Sequence, residues 1–334
     1  MTGGIMQNTR QSVIALGFLI TFIIACKPQP GPIEKTVLPT EYAQNRFYVT
    51  PVTPGGDTLR LYTDTGGGTN MIWPETIGEF GLDTTRSNYR GKNITVTSFP
   101  AFQPDAAIPA PTQTTTPLGR KLAVMEPKLA SEFSGHGFLG APWFGTRIWE
   151  FNYPDRSLAL VEEIDWAARS EDHRIHLGFR EDSTGNKINY HPRMTMVVDG
   201  DSIDVLFDTG ATTFPTESAA QQLGFPEASA IGTSFIIDSL FQSWQEDHPD
   251  WEVIQNAERT TGQPMIRVPE VTVAGYIVGP VWFTVRPTRS FTQWMSQWTD
   301  KPVYGALGGS AFQYFRIIVD YPKEIAEFLL PESS

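Results

Sequence analysis

Two short segments carry residue types suited to acid–base chemistry: Asp64-Thr65-Gly66 and Asp208-Thr209-Gly210. A carboxyl group can give or take a proton within a reacting site. One such tripeptide is a weak signal, because Asp, Thr and Gly also suit a turn after a strand. The chain has two, each directly after an apolar run, Leu61-Tyr62-Thr63 and Val205-Leu206-Phe207. Each is followed at a distance by a hydrophobic-hydrophobic-Gly turn, Phe138-Leu139-Gly140 and Ala306-Leu307-Gly308. A turn alone does not require that coincidence. Other chemistries find no support: there is no Gly-x-Ser-x-Gly elbow and no Gly-rich phosphate loop. The five histidines lack Cys or carboxylate partners at ligand spacing, and His173 and His176, three apart in a strand-like stretch, point to opposite faces. The expectation is no metal and no cofactor.

The elements around these turns read mainly as strands. Short apolar or alternating runs, such as Met194 to Val198 and Val271-Thr272-Val273, are separated by Gly, Pro, Asp and Asn. Helical pattern is confined to 217–223 and to the face made by Phe291, Trp294, Met295 and Trp298, which is expected to pack on the second half of the chain. Trp244 and Trp251 lie among Asp247, His248, Pro249 and Asp250 and read as more exposed, lining a cleft or anchoring an insertion. The repeat organises the whole. Leu139-Gly140 runs on to Tyr153-Pro154, and Leu307-Gly308 to Tyr321-Pro322, with the same spacing and no gap. Each copy is strand, Asp-Thr-Gly turn, variable middle, Leu-Gly turn, aromatic segment, Tyr-Pro turn and closing strand. The charged stretch 164–171 marks the boundary, giving lobes 45–165 and 166–334.

With both turns and both flanks in place, the sequence resembles the aspartic peptidases, in the bacterial branch whose lobes look like retroviral protease subunits fused in tandem. The resemblance runs from about 47 to 330. It implies an all-β, two-lobed pepsin-like fold with few short helices. It implies Asp64 and Asp208 as the catalytic pair, Thr65 and Thr209 bonding across the lobes, Gly66 and Gly210 close-packed in the turns, and Leu139, Gly140, Leu307 and Gly308 behind the pair. Two carboxylates a hydrogen bond apart cannot both ionise cheaply, so one proton is shared and the pair supplies an acid and a base at once. The implied activity is an endopeptidase that activates water between Asp64 and Asp208, with a polypeptide substrate and one chain sufficient for the site. The alternative is a peptidase-fold protein that binds a peptide, a partner or cell-wall material without cleaving. Two departures stand out. Gly67 and Ala211 stand where pepsin-like enzymes have a Ser or Thr hydroxyl, which implies a pH optimum less acidic than pepsin's. The place of the hairpin that closes over substrate, between 89 and 115, is broken by Pro100, Pro104, Pro109 and Pro111, with Pro117 just beyond, so no tyrosine above the site is nominated, and Tyr89 reads as a surface or packing residue sooner than as that tyrosine.

Composition sets the setting. Of the 334 residues 40% are hydrophobic and 19% charged, enough to bury a core, and the net charge of -12 opposes binding to nucleic acid phosphates. Arg10 precedes an apolar run at 13–25 that is too short to span a membrane and has the length and small-residue end of an export signal. Cys26, the single cysteine, follows Ile23-Ile24-Ala25 as in the lipobox of bacterial lipoproteins. The expectation is a signal peptide at 1–25, a tether at 26–44, and a lipid anchor in a bacterial cell envelope. An ordinary signal with an incidental cysteine is the other reading. Lys27 favours the outer over the inner membrane.

Overall fold

The computed structural model describes residues 1–2, 33–112, 117–125, 134–225 and 229–331. In the first half the strands are β1 (Lys35–Val37), β2 (Thr40–Ala43), β3 (Arg46–Val49), β4 (Leu61–Thr63), β5 (Met71–Ile72), β6 (Thr84–Tyr89), β7 (Lys92–Ser98), β8 (Lys121–Val124), β9 (Gly137–Leu139), β10 (Ile148–Asn152) and β11 (Ser157–Val161). A 3-10 turn, Trp166–Ala168, leads to the second half. There follow β12 (Arg174–His176), β13 (Arg193–Val198), β14 (Asp201–Phe207), β15 (Thr212–Thr213), β16 (Ile231–Gly232), β17 (Ser234–Ile237), β18 (Val253–Ile254), β19 (Met265–Val268), β20 (Val271–Val273), β21 (Tyr276–Val278), β22 (Val281–Arg286), β23 (Gly305–Leu307), β24 (Arg316–Asp320) and β25 (Ile325–Leu329).

Each half folds its own sheet, and the two sheets repeat one another pair by pair. From β3 onward the first runs β3-β4-β9-β5-β8-β7-β6, with β2 added at its edge; the second contains β13-β14-β23-β17-β22-β19-β18 in the corresponding places. The strand before each Asp-Thr-Gly turn lies parallel to the strand that ends in Leu-Gly, with Thr63 opposite Leu139 and Phe207 opposite Leu307. Two strands distant in sequence are thereby forced side by side, and their loops emerge at the same end. A third sheet, β1-β11-β10-β24-β25-β12, joins the halves. At its centre β10 and β24 pair antiparallel, Ile148 with Asp320 and Asn152 with Arg316. The architecture is the all-β, two-lobed pepsin-like one with few short helices that the sequence implies.

Aromatic packing crosses the same boundary. Trp143 and Trp149 meet at 4.5 Å between ring centroids, Phe151 reaches Phe207 at 6.1 Å, and Phe207 meets Phe312 at 4.5 Å. The fully buried Glu150 of β10 is held by Lys35 Nζ at 2.5 Å and Arg316 Nη2 at 2.6 Å, so its charge is compensated from both lobes.

Several expectations change. Residues 35–43, read as part of a tether, form β1 and β2. Lys35 binds Glu150, and the Gln44-Asn45 turn after β2 reaches the second lobe, where the Gly232 N–H donates to the Gln44 carbonyl at 2.7 Å. Residues 3–32, including Cys26, lie outside the described residues. The helix expected at 217–223 is present as Glu217–Gln222, capped by Thr216. Trp244 is buried on the helix Asp238–Asp247, its ring 5.6 Å from Phe283, because Phe241 and Trp244 stand three apart on one helical face. Trp251 packs against it with His248 stacked outside at 4.1 Å. The aromatic face at 291–298 is split: Ser290–Trp294 winds as a π-helix, which turns Phe291 inward and leaves Trp294 66% exposed. Among the described residues no helix is long and apolar enough to cross a membrane.

Candidate active site

The two Asp-Thr-Gly turns meet where the lobes touch. The Asp64 N–H donates to the Leu139 carbonyl and the Asp208 N–H to the Leu307 carbonyl, both at 2.9 Å, so each aspartate is fixed by the parallel strand beside it. The threonines interlock. Thr65 Oγ1 donates to the Phe207 carbonyl at 2.8 Å and accepts from the Thr209 N–H at 2.9 Å, while Thr209 Oγ1 accepts from the Thr65 N–H at 3.2 Å. Both threonines are fully buried, so these bonds form away from water.

The glycines fix how near the carboxylates come. A Cβ on Gly66 would stand 2.6 Å from the Asp208 carboxyl carbon, and one on Gly210 would stand 2.0 Å from that of Asp64. Each carboxyl group therefore lies over the opposite glycine and beside its twin, with a hydrogen bond between them. Gly66 N–H donates to Asp64 Oδ1 at 2.7 Å and Gly210 N–H to Asp208 Oδ1 at 3.0 Å. Burial pushes both acids above the usual carboxylate range. Asp208 goes further, because the charge of Asp64 adds to the burial. The pair holds one proton that an isolated aspartate would have lost, and it titrates as a unit.

Behind the pair, the Leu-Gly turns are braced in equivalent ways. Gly140 N–H donates to Asn70 Oδ1 at 2.9 Å and Gly308 N–H to Ser234 Oγ at 3.0 Å. Leu139 and Leu307 are fully buried. A Cβ on Gly140 would collide with the Gly67 carbonyl at 2.6 Å, and one on Gly308 with the Asp208 carbonyl at 2.7 Å.

Sequence reasoning missed four contributors. Phe138 explains Gly67: its ring fills the space where a side chain would start, 2.2 Å from a Cβ built there. The absent hydroxyl is a steric consequence of that ring. Tyr62 sends its Oη into the other lobe, donating to the Gly210 carbonyl at 2.8 Å and lying 2.7 Å from Thr212 Oγ1. A tyrosine inside an apolar strand next to Asp-Thr-Gly was the available signal, since a buried hydroxyl needs a partner. His191, 7% exposed, lies against the Gly66 backbone; burial, then the nearby Arg90 cation, lowers its pKa to about 4. Finally, the hairpin expected at 89–115 is β6–β7, at 84–98. It ends before the prolines, which belong to the irregular segment that follows. Tyr89 stands at its tip, 2.9 Å from Thr69 Oγ1, and Arg90 in the turn lies over Trp298 of the second lobe at 4.8 Å. Among the described residues no group of three His, Cys, Asp or Glu side chains could hold a metal ion.

No protein-family model and no curated protein matches the chain. Among solved structures, an aspartic proteinase from Irpex lacteus is similar over 90% of this chain and 98% of that one, with a TM-score of 0.48 and 10% sequence identity.

Two outcomes are expected. Gly67→Ser places Cβ inside the Phe138 ring and should lower stability by about 1–3 kcal/mol in denaturant unfolding. Adding Phe138→Ala should recover part of that loss, giving a favourable coupling in a double-mutant cycle; strict additivity would contradict the steric account. The raised Asp208 pKa also has a sign. Below about pH 4 the native and unfolded states both keep its proton, and as pH rises only the unfolded state releases it, so the native state loses stability toward neutral pH. Asp208→Asn removes that loss. Its melting temperature relative to wild type should climb between about pH 4 and 7, and a flat difference would contradict it.

Proposed function

We propose that this chain is an aspartic endopeptidase that hydrolyses peptide bonds with water activated between Asp64 and Asp208. The single observation that carries this reading is the pair itself: two carboxyl groups, each lying over the other lobe's glycine, with burial raising both pKa values. The ionised member takes a proton from a water between them as its oxygen attacks the scissile carbonyl carbon. The protonated member donates its hydrogen to the carbonyl oxygen, giving a tetrahedral diol. Transfer of a proton to the amide nitrogen then breaks the C–N bond, and the pair returns to one shared proton. The interlocked threonines and the Gly66 and Gly210 N–H groups hold the carboxylates through these steps, so little reorganisation accompanies the charge movement. In this reading the hairpin β6–β7, whose tip is tied to Thr69 by Tyr89 and meets Trp298 through Arg90, serves as the cover that limits access of bulk water.

Turnover of a peptide library by wild type, Asp64→Asn and Asp208→Asn tests this, with folding checked by thermal melting. Each substitution should lower kcat by roughly 10²–10⁴, the range for loss of one general acid or base. Equal turnover by all three would refute the reading.

The place of action proposed is a bacterial cell envelope, with the chain held by lipid on Cys26. Support comes from Arg10, the apolar run 13–25 and the sequence Ile23-Ile24-Ala25-Cys26. Two acyl chains hold a soluble domain at a bilayer where one does so marginally. Expressed in a bacterium with its own leader, the protein should partition with membranes and Cys26→Ser should release it; an unchanged distribution would refute the anchor.

A further inference from the structure

Among the described residues Arg90 is a cation that makes no ion pair. Its guanidinium instead lies between aromatic faces, 5.3 Å from the Tyr89 ring and 4.8 Å from that of Trp298. Such faces hold an arginine in place while leaving its N–H edge able to fork onto a carboxylate.

Its position on the backbone is also unusual. Tyr89 and Lys92 pair across the end of β6–β7, so Arg90 and Gly91 alone make the turn, with φ of +52° and +76°. Two-residue turns of this hand favour Asn-Gly or Gly-Gly, and a long side chain in the first place is sterically disfavoured. The strained residue is the one that reaches the other lobe. Tyr89 anchors the tip to Thr69, five residues after Asp64, and Trp298 belongs to the second lobe, so Arg90 links the lobes on the side of the Asp64 turn. His191 is near enough to feel its charge and lies against Gly66, which places the cation close to the Asp-Thr-Gly turn.

We propose that Arg90 is a specificity residue that selects polypeptides carrying an acidic side chain close to the bond presented to Asp64 and Asp208. The proposal rests on the cleft's being a peptide site, as argued above. A carboxylate entering beside Trp298 would meet the free edge of the guanidinium and form a charge-assisted, two-pronged pair partly shielded by the two rings. A Gln at the same place would lose the charge, and a Lys would be repelled.

The test is a set of peptides identical except for Glu, Gln or Lys at successive positions on either side of the cleaved bond. At one position wild type should show kcat/KM for Glu above that for Gln by about tenfold, the factor equal to 1.4 kcal/mol. In Arg90→Gln the ratio should fall to near one, and Arg90→Glu should prefer Lys. A wild type indifferent to Glu against Gln, or an Arg90→Gln variant that keeps the preference, overturns the proposal and leaves Arg90 as a latch on Trp298. Equilibrium binding of the same peptides to Asp208→Asn separates this from the peptidase reading. If wild type cleaves nothing, a Glu preference in binding that vanishes in Asp208→Asn/Arg90→Gln still supports the role of Arg90. Its absence in binding overturns it.

Discussion

The structure is organised around the contact of each carboxyl group with the opposite lobe's glycine. At 2.6 Å and 2.0 Å from a would-be Cβ, Gly66 and Gly210 leave no room for any side chain, and the aspartates can be neighbours only because that room is empty. A shift of the lobes by about one ångström would separate the acids and remove their shared proton, as such sites tolerate little displacement. Rigid alignment of the lobes follows as a requirement. It is met at three levels: the crossed threonine bonds, the Tyr62 bridge to Gly210 and Thr212, and the common sheet through β10 and β24.

The two halves are alike in topology and unlike at the site. Tyr62 corresponds to Leu206, so the tyrosine hydroxyl that reaches Gly210 and Thr212 has no counterpart in the second lobe. Gly67 gives way to the Phe138 ring, whereas its counterpart Ala211 packs against Gly308, 2.7 Å from a Cβ there. Asp208, at 8% exposure, is the more enclosed acid. These differences give the two carboxyl groups unequal surroundings, and Asp208 is held further above the usual carboxylate range than Asp64.

Much of this was legible in the sequence because a repeat is a long-range signal. The gap-free match of Leu139–Tyr153 with Leu307–Tyr321 marks both Leu-Gly turns, and the single Asp-Thr-Gly upstream of each copy points to both aspartates. What escaped depended on contacts across the repeat or on the exact path of a loop. Phe138 and Gly67 lie far apart in sequence, so a missing hydroxyl looked like a loss when it was a packing choice. Prolines 100 to 117 lie beyond the hairpin; of its two strands only the second carries an alternating pattern, Ile94-Thr95-Val96-Thr97, while Thr84–Tyr89 is polar almost throughout and gives little signal. Trp244 looked exposed among charges, yet a helix period of three placed it with Phe241 toward the core.

The pairing at the centre of the joining sheet says something about how such a chain can diverge. The spacing that superposes Leu139 on Leu307 and Tyr153 on Tyr321 superposes Glu150 on Ile318, and those two residues sit opposite each other in the β10–β24 ladder. This is the register that two identical subunits would adopt about a twofold axis. In such a dimer a glutamate there would face its own copy, two like charges in a dry interface. Tandem fusion lifts that restriction: Ile318 stays apolar while Glu150 recruits Lys35 and Arg316. Because the two copies are separate positions of one chain, an ion cluster can be built at one of them while the facing position stays apolar.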